Sequence, residues 1–472
     1  MNRKQIMGIV LIGSACLIGL HSCQIVNKYK TPEIDSSELF RTENPEDTTT
    51  IASIPWREYF KDPILQGLIF EGLSNNYDLR MAVTRVEQAE AALGMARAAY
   101  FPSVTLVGNA TQSRYSVKST GEKDVLGQHS NSFSLAAAVS WELDVWGKLN
   151  RQSRAKYAQF LMSQEYRNVI QTSLIANIAT SYYSLMSLDE QLRVTEEMIG
   201  LLVESTETIQ ALMESGMLTA AAVEQSKALL YSTQVSVPNI KSQIQQLENS
   251  ICLLLGRKPG SVNRAAIAEQ TVPEELNVGL PVQMLANRPD VRQAELNFRS
   301  AFELTNAAQA SFYPTISLGS NNGASMIGYS SNTLSGFFKP ENLIANIVGS
   351  LAQPIFAKKQ LITQLNVAKS QQQEALLGFE KAVLSAGKEV SDILFAYQSS
   401  LSKNEIRDKQ VEALLKSVDY TQALLKAGEA NYTEVLNAEQ NLLQAQLSQV
   451  SDKLEQLQYS VNLYRALGGG IE

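Results

Sequence analysis

Apolar residues recur along the chain at alternating spacings of four and three. Leu174, Ile178, Leu185, Leu188, Leu192, Ile199, Leu202, Ile209 and Met213 follow this spacing, with Ser181, Thr195 and Thr206 filling the remaining steps. Val223, Leu230, Val237, Ile240, Ile244, Leu247, Ile251 and Leu254 keep it, and so do Leu443, Leu447, Val450, Leu454, Leu457, Val461 and Tyr464. A sustained seven-residue repeat predicts long helices that supercoil left-handedly in pairs. Helices are expected over about 148–215, 217–256, 358–427 and 429–467. The first would be about 100 Å long at 1.5 Å per residue. Gly216 and Gly428 are the expected helix ends and sharp reversals, because glycine tolerates the left-handed backbone of a helix stop. Pro238 lies inside one apolar run and is expected to kink or interrupt it.

A second pattern has period two. Phe133, Leu135, Ala137, Val139, Trp141 and Leu143 alternate with Ser132, Ser134, Ala136, Ala138, Ser140 and Glu142. Val104 and Leu106 alternate with Ser103 and Thr105, Ile316 and Leu318 with Ser317 and Gly319, and Ile347, Leu351 and Ile355 extend the pattern. Alternation of this kind makes strands with one apolar face. Four strands are expected, at about 103–113, 131–143, 315–324 and 344–355. They form two hairpins, with polar loops at 118–124 and 330–333. Strands of about ten residues, apolar outside and polar inside, suit an outer-membrane barrel. Backbone groups in lipid must pair, so the sheet must close. Four strands are too few to close, so copies are required: two give eight strands with a filled interior, three give twelve with room for a passage. A soluble sandwich edge attached to helices is the competing reading. Phe133, Leu135, Val139 and Trp141 are the candidate lipid-facing residues, and Trp141 and Trp146 suit an aromatic girdle.

The two halves of the chain match at a fixed offset of 212 residues. Asp78 and Arg80 correspond to Asp290 and Arg292, Tyr100-Phe101-Pro102 to Phe312-Tyr313-Pro314, Gln210-Ala211-Leu212 to Gln422-Ala423-Leu424, Gly216 to Gly428 and Gly256 to Gly468. Each half is therefore expected to run helix, hairpin, long helix, turn, long helix.

The amino terminus adds an address. Arg3 and Lys4 precede an apolar run from Ile6 to Leu20, too short for a membrane span of about 20 residues. Leu20-His21-Ser22-Cys23 then resembles a lipoprotein signal in which Cys23 becomes the acylated first residue; simple signal cleavage is the alternative. Removal of residues 1–22 leaves a net charge of 38 − 47 = −9, with His129 the single histidine and Cys252 the single non-lipidated cysteine. No disulfide is expected. An acidic chain without a basic block makes nucleic acid a poor partner. His129, placed in a polar loop, has no neighbouring metal ligand, and no phosphate-binding glycine loop is present. No catalytic residue, metal or cofactor is assigned, and no enzymatic activity is expected.

Several segments carry a family resemblance. Trp56-Arg57-Glu58-Tyr59-Phe60-Lys61-Asp62-Pro63, Trp141-Glu142-Leu143-Asp144-Val145-Trp146-Gly147, Leu280-Pro281-Val282-Gln283-Met284-Leu285 followed by residues 287–295, and Gln353-Pro354-Ile355-Phe356 occur in order. Together they resemble the TolC-like outer-membrane efflux proteins, in the lipoprotein branch that serves resistance-nodulation-division pumps. The resemblance implies a mixed α+β membrane protein, with four β-strands and long coiled-coil helices per chain in two repeats. A homotrimer would form a twelve-stranded β-barrel in the outer membrane and a periplasmic α-helical barrel below it. A periplasmic adaptor and an inner-membrane RND pump would be its partners. It further implies a pore constriction at the last helical turn, where two aspartates three apart often stand; Glu434 and Asn437 occupy those places here. Glu429 and Glu439 are further candidates for negative charge, and the turns at Gly216 and Gly428 for adaptor docking.

The expected organisation is a signal peptide over 1–22, a lipidated extended segment over 23–62, a first repeat over 63–262, a linker in the equatorial region over 263–286 and a second repeat over 287–472. The expected function is the passive outer-membrane exit duct of a tripartite efflux system. A type I protein-secretion outlet and a non-conducting periplasm-spanning coiled-coil lipoprotein are the alternatives; the second leaves the alternating strands unexplained.

Overall fold

The computed structural model describes residues 28–34, 39, 50–114, 129–271, 287–319 and 325–471. The signal segment, Cys23, the loop at 118–124 and most of the 263–286 linker, with residues 280–285 of the family signature, lie outside the described residues.

Helices α1 (Trp56–Tyr59), α2 (Pro63–Asn75) and α3 (Tyr77–Ala98) precede strands β1 (Ser103–Arg114) and β2 (His129–Leu143). Helices α4 (Lys148–Glu214) and α5 (Ala220–Leu254) complete the first half. The second half holds α6 (Pro289–Ala310), β3 (Thr315–Leu318), β4 (Ser325–Ser331), β5 (Leu343–Asn346), β6 (Gly349–Ala352), α7 (Gln360–Ala427) and α8 (Tyr432–Ala466). The 212-residue offset recurs in the elements themselves: Tyr77 and Pro289 open α3 and α6, Lys148 and Gln360 open α4 and α7, and Ala220 and Tyr432 open α5 and α8.

The chain divides into two compact units. One comprises residues 1–32, 87–162 and 295–378 and carries the strands. Its sheet is an antiparallel meander: β1 pairs with β2, β2 with β4 and β3, and these with β5 and β6. The second hairpin departs from the sequence expectation. Of the expected 315–324 strand only Thr315–Leu318 forms β3, residues 320–324 lie outside the described residues, and β4 begins beyond the expected end. The expected 344–355 strand is split into β5 and β6, and in the gap between them the Val348 carbonyl accepts the N–H of Gly319 (φ 65°, 2.7 Å). Strand β4 runs on to Ser331, so Ser330 and Ser331 belong to the strand rather than to the loop. Ile347 falls in the gap and Ile355 beyond the last strand, and both are almost fully exposed. His129 opens β2 opposite Arg114 instead of lying in a loop.

The other unit comprises residues 33–86, 163–294 and 379–472. Its main core joins Leu65 and Ile69 of α2, Ile178, Tyr182 and Leu185 of α4, Ile251 of α5, Val383 and Val390 of α7 and Tyr464 of α8. Helix α2 starts where Asp62 accepts the N–H groups of Ile64 (2.8 Å) and Leu65 (3.4 Å), with Pro63 as its first residue. Leu174, Ile178, Leu185, Leu202 and Ile209 of the predicted seam are all buried. A second seam, Ile175, Ala179, Tyr182 and Met186, is buried beside it, because α4 packs against more than one neighbour in this unit. Pro238 does not interrupt α5, which is continuous from Ala220 to Leu254. Pro238 and Gln234, whose carbonyl loses its helical partner, are both exposed, so the missing bond falls on the solvent side of the helix.

Candidate functional site

The two helix turns come first. Gly216 (φ 82°) and Gly428 (φ 79°) both adopt the left-handed conformation. In each, the glycine N–H bonds the residue three back, Met213 or Leu425, and the next N–H bonds the residue five back, Leu212 or Leu424. The turns lie beside each other: a Cβ on Gly428 would rest 3.6 Å from Met217 Cε. Ile209, Ala222, Val223, Leu425 and Val435 form a small buried core beneath them. Met217 itself is 59% exposed.

Asn431 caps α8 by accepting the Thr433 N–H (3.2 Å), which places Glu434 in the first turn. Glu434 and Asn437 are three residues apart and both exposed, and Glu429 is exposed in the preceding turn. Glu439 is different. It is fully buried, its Oε1 accepts from Gln422 Nε2 of α7 (2.9 Å), and its Oε2 has no hydrogen-bond partner. Burial raises its pKa above the ordinary 4.5, against the opposing pull of Gln422 and Ser205. Glu439 therefore does not present charge on an open surface, which corrects its place among the constriction candidates.

A carboxyl with a raised folded-state pKa contributes its stability below the unfolded value of 4.5, and that contribution is lost as pH rises through the folded value. Glu439→Gln is therefore expected to raise the unfolding temperature at pH 7.5 and to leave it unchanged near pH 4. Thermal unfolding followed by circular dichroism checks this, and an equal effect at both values would refute it.

The sheet supplies the second surface. In register, Val139 faces Val104, Ala137 faces Leu106 and Ile327, and Leu135 faces Tyr329, which faces Leu343. Directly opposed residues share a face, so Phe133, Leu135, Val139 and Trp141 join Leu106, Ile327, Tyr329, Leu343 and Leu351 on one apolar side. The other side carries Ser134, Ser140, Ser317 and Ser350, the last two hydrogen-bonded at 2.8 Å. Trp141 also donates its indole N–H to Tyr100 O (2.8 Å), and Trp146 donates to Pro314 O (2.7 Å) while stacking on Tyr313 at 5.1 Å. Asp144 accepts the N–H groups of Leu149 and Asn150, each at 2.8 Å, and so starts α4. The Trp141–Gly147 segment thus fixes the passage from strand to helix. Among the described residues, the outer edges of β1 and of β5 and β6 have no strand partner.

The 287–295 segment is a brace. Arg288 is mostly buried; it forms a bidentate pair with Asp290 (3.0 and 2.7 Å), bonds Glu389 (2.8 Å) and donates to the carbonyl of Ala466 (2.8 Å). Burial opposes ionisation of Asp290, but the hydrogen bond and charge of Arg288 outweigh it and hold the carboxyl below its usual range. At the same offset in the first half, Asn76 donates to the carbonyl of Leu254 (2.9 Å). In both halves a left-handed glycine closes the junction. A Cβ on Gly256 would lie 2.6 Å from Asn75 O, and one on Gly468 2.7 Å from Asn287 O. Sequence reasoning paired the glycines but missed their contact with Asn75 and Asn287, although those asparagines also stand 212 apart.

Tyr29 and Thr31 are tied to α6. Tyr29 and Thr31 both donate to Glu295 Oε1 (3.2 and 2.9 Å), and the Tyr29 ring meets Phe302 edge-on at 5.6 Å on α6.

The family described as "Outer membrane efflux protein" matches residues 68–257 and 280–469, one match per half. The chain is 30% identical to the probable outer membrane lipoprotein SilC of Salmonella typhimurium over 88% of each chain. It is 29% identical to the probable efflux pump outer membrane protein TtgC of Pseudomonas putida, covering 96% of this chain and 93% of that one. The crystal structure of CusC, described as forming a transmembrane channel, superposes with a TM-score of 0.82 at 27% identity, over 94% of this chain and 100% of CusC. With both halves matched, and with the repeat, sheet and helix turns in place, the chain belongs to the outer membrane efflux protein family.

Proposed function

We propose that three copies of this chain form the outer-membrane exit duct of a tripartite efflux system, through which small molecules pass without chemical change. The observation that carries this reading is the sheet: four strand positions, one apolar face and, among the described residues, unpaired outer edges. Lipid does not tolerate unpaired backbone, so the edges must be joined to further copies, and three copies give twelve strands. The names of SilC and TtgC, an outer membrane lipoprotein and an efflux pump component, support the location, the lipid anchor at Cys23 and the role. In this arrangement the two repeats over 63–262 and 287–472 each supply a hairpin and a helix pair, joined by the 263–286 linker. The turns at Gly216 and Gly428 dock a periplasmic adaptor, and an RND pump delivers the cargo.

Glu434 is the residue that sets charge preference. Three copies at one level of a narrow passage attract cations and repel anions, and Asn437 one turn on adds none. The test is reconstitution of the purified protein in a planar bilayer under a salt gradient. Stepwise ion conductance is expected, with a cation-selective reversal potential that moves toward zero in Glu434→Gln. Absence of conductance would refute the duct; an unmoved reversal potential would refute the assignment of Glu434.

A further inference from the structure

The loop between β4 and β5 carries apolar side chains that the duct does not explain. Leu334 is 73% exposed and Phe338 71% exposed. The loop is nevertheless tied internally. Phe337 N–H bonds Leu334 O (3.3 Å), Lys339 N–H bonds Gly336 O (3.1 Å), and Asn342 donates its side-chain amide to the same Gly336 carbonyl at 2.7 Å. It presents its side chains on a fixed frame.

The direction of that frame follows from Tyr329. Its ring lies 5.6 Å from Phe338, edge-on, and 6.3 Å from Phe337, whose own ring is 5.0 Å from Phe338. Tyr329 stands opposite Leu135 and Leu343 in the sheet, and so on the apolar face. A loop held against the Tyr329 ring folds over that face, away from the Ser134 and Ser330 side. Lys339 and Glu341, both exposed, follow the aromatic pair and supply a polar flank. An apolar tip with an adjacent lysine suits the boundary between acyl chains and charged headgroups, where aromatic rings and long amine side chains gather.

We propose that residues 334–338 form a wedge seated in the outer-leaflet lipid beside the barrel wall, continuing the apolar face of the sheet beyond its hydrogen-bonded strands. The proposal rests on the membrane-barrel reading above. Its occupant is lipid; a second copy of the chain, a protein partner and the water above the channel mouth are the outcomes it competes with.

The experiment compares the full-length assembled protein with its Leu106→Trp and Phe338→Trp variants. Each is placed in vesicles of dioleoylphosphatidylcholine and of the same lipid with brominated acyl chains. Leu106 is an exposed residue of the apolar sheet face and reports on the barrel itself. The parent's own tryptophan emission is measured in both lipids and subtracted. The added emission of both variants is expected to be quenched by the brominated lipid and shielded from aqueous iodide. Quenching of Leu106→Trp alone, with Phe338→Trp open to iodide or indifferent to both quenchers, overturns the wedge and leaves the barrel standing. Absence of lipid quenching in both overturns both. If Phe338→Trp does not assemble, Leu334→Trp reports on the same wedge with the same two outcomes.

Discussion

Arg288→Ala is expected to lower the stability of the fold against denaturant by about 3 kcal/mol. The guanidinium is mostly buried and serves Asp290, Glu389 and the carbonyl of Ala466 at once. Its removal leaves Asp290 without its cation, Glu389 held by Arg465 alone (2.7 Å) and an end-of-helix carbonyl without a donor. Breaking a buried charge pair from one side costs about 3–5 kcal/mol. Asp290 and Glu389 keep 45% and 30% of their side-chain exposure, which lets water recover part of this, so about 3 kcal/mol is the expected loss. Arg288→Lys restores a charge but not the fork that grips Asp290 with two nitrogens, and should recover only part of the stability. Denaturant unfolding of the three proteins checks the order. An Arg288→Ala protein as stable as its parent would show that the brace carries no weight.

The second large effect separates four glycines that look alike in sequence. Gly216, Gly256, Gly428 and Gly468 all have φ between 69° and 95°. Alanine at any of them costs about 1–2 kcal/mol for the left-handed backbone. At Gly216 nothing lies within 4 Å of an added Cβ, and at Gly428 only the Met217 methyl, at 3.6 Å. At Gly256 and Gly468 the added carbon meets backbone, at 2.6 Å from Asn75 O and 2.7 Å from Asn287 O. Backbone cannot swing aside as a side chain can, so helix junctions must shift. Gly256→Ala and Gly468→Ala should therefore be destabilised clearly more than Gly216→Ala and Gly428→Ala. Equal losses across the four would show that conformation alone governs all of them. Asparagine, which tolerates the left-handed region better than alanine, should partly rescue position 428 and fail at 468.

These glycines also mark how far the sequence could be read. The offset of 212 and the helix ends were legible, because spacing and glycine are local signals. The contact of Gly256 with Asn75 was not, because it joins residues far apart in the chain. One seam of α4 was visible as a seven-residue repeat. The second, with Tyr182 and Met186, was hidden because a helix packed on several sides shows a broad apolar face and no clean period. Glu439 misled for a related reason. It follows Val435 by four residues and precedes Leu442 by three, so it lies on the buried seam of α8, and its spacing carried the signal that its charge obscured. Strand β4 was not legible because Ser325–Ser331 shows apolar side chains only at Met326, Ile327 and Tyr329, too few and too uneven for a clear period of two.

The two turns closed by Gly216 and Gly428 have unlike chemistry: the first leads into Met217, Leu218 and a run of alanines, the second into Glu429 and Glu434. In the proposed ring of three chains they would alternate, giving six tips of two kinds around the rim. A periplasmic protein that grips only one kind arrives in threes. One that accepts both arrives in sixes, at the cost of meeting an uncharged tip and an acidic tip with the same hand. Under the proposed docking, the stoichiometry of the assembly would follow from how strictly the adaptor tells a methionine from a glutamate.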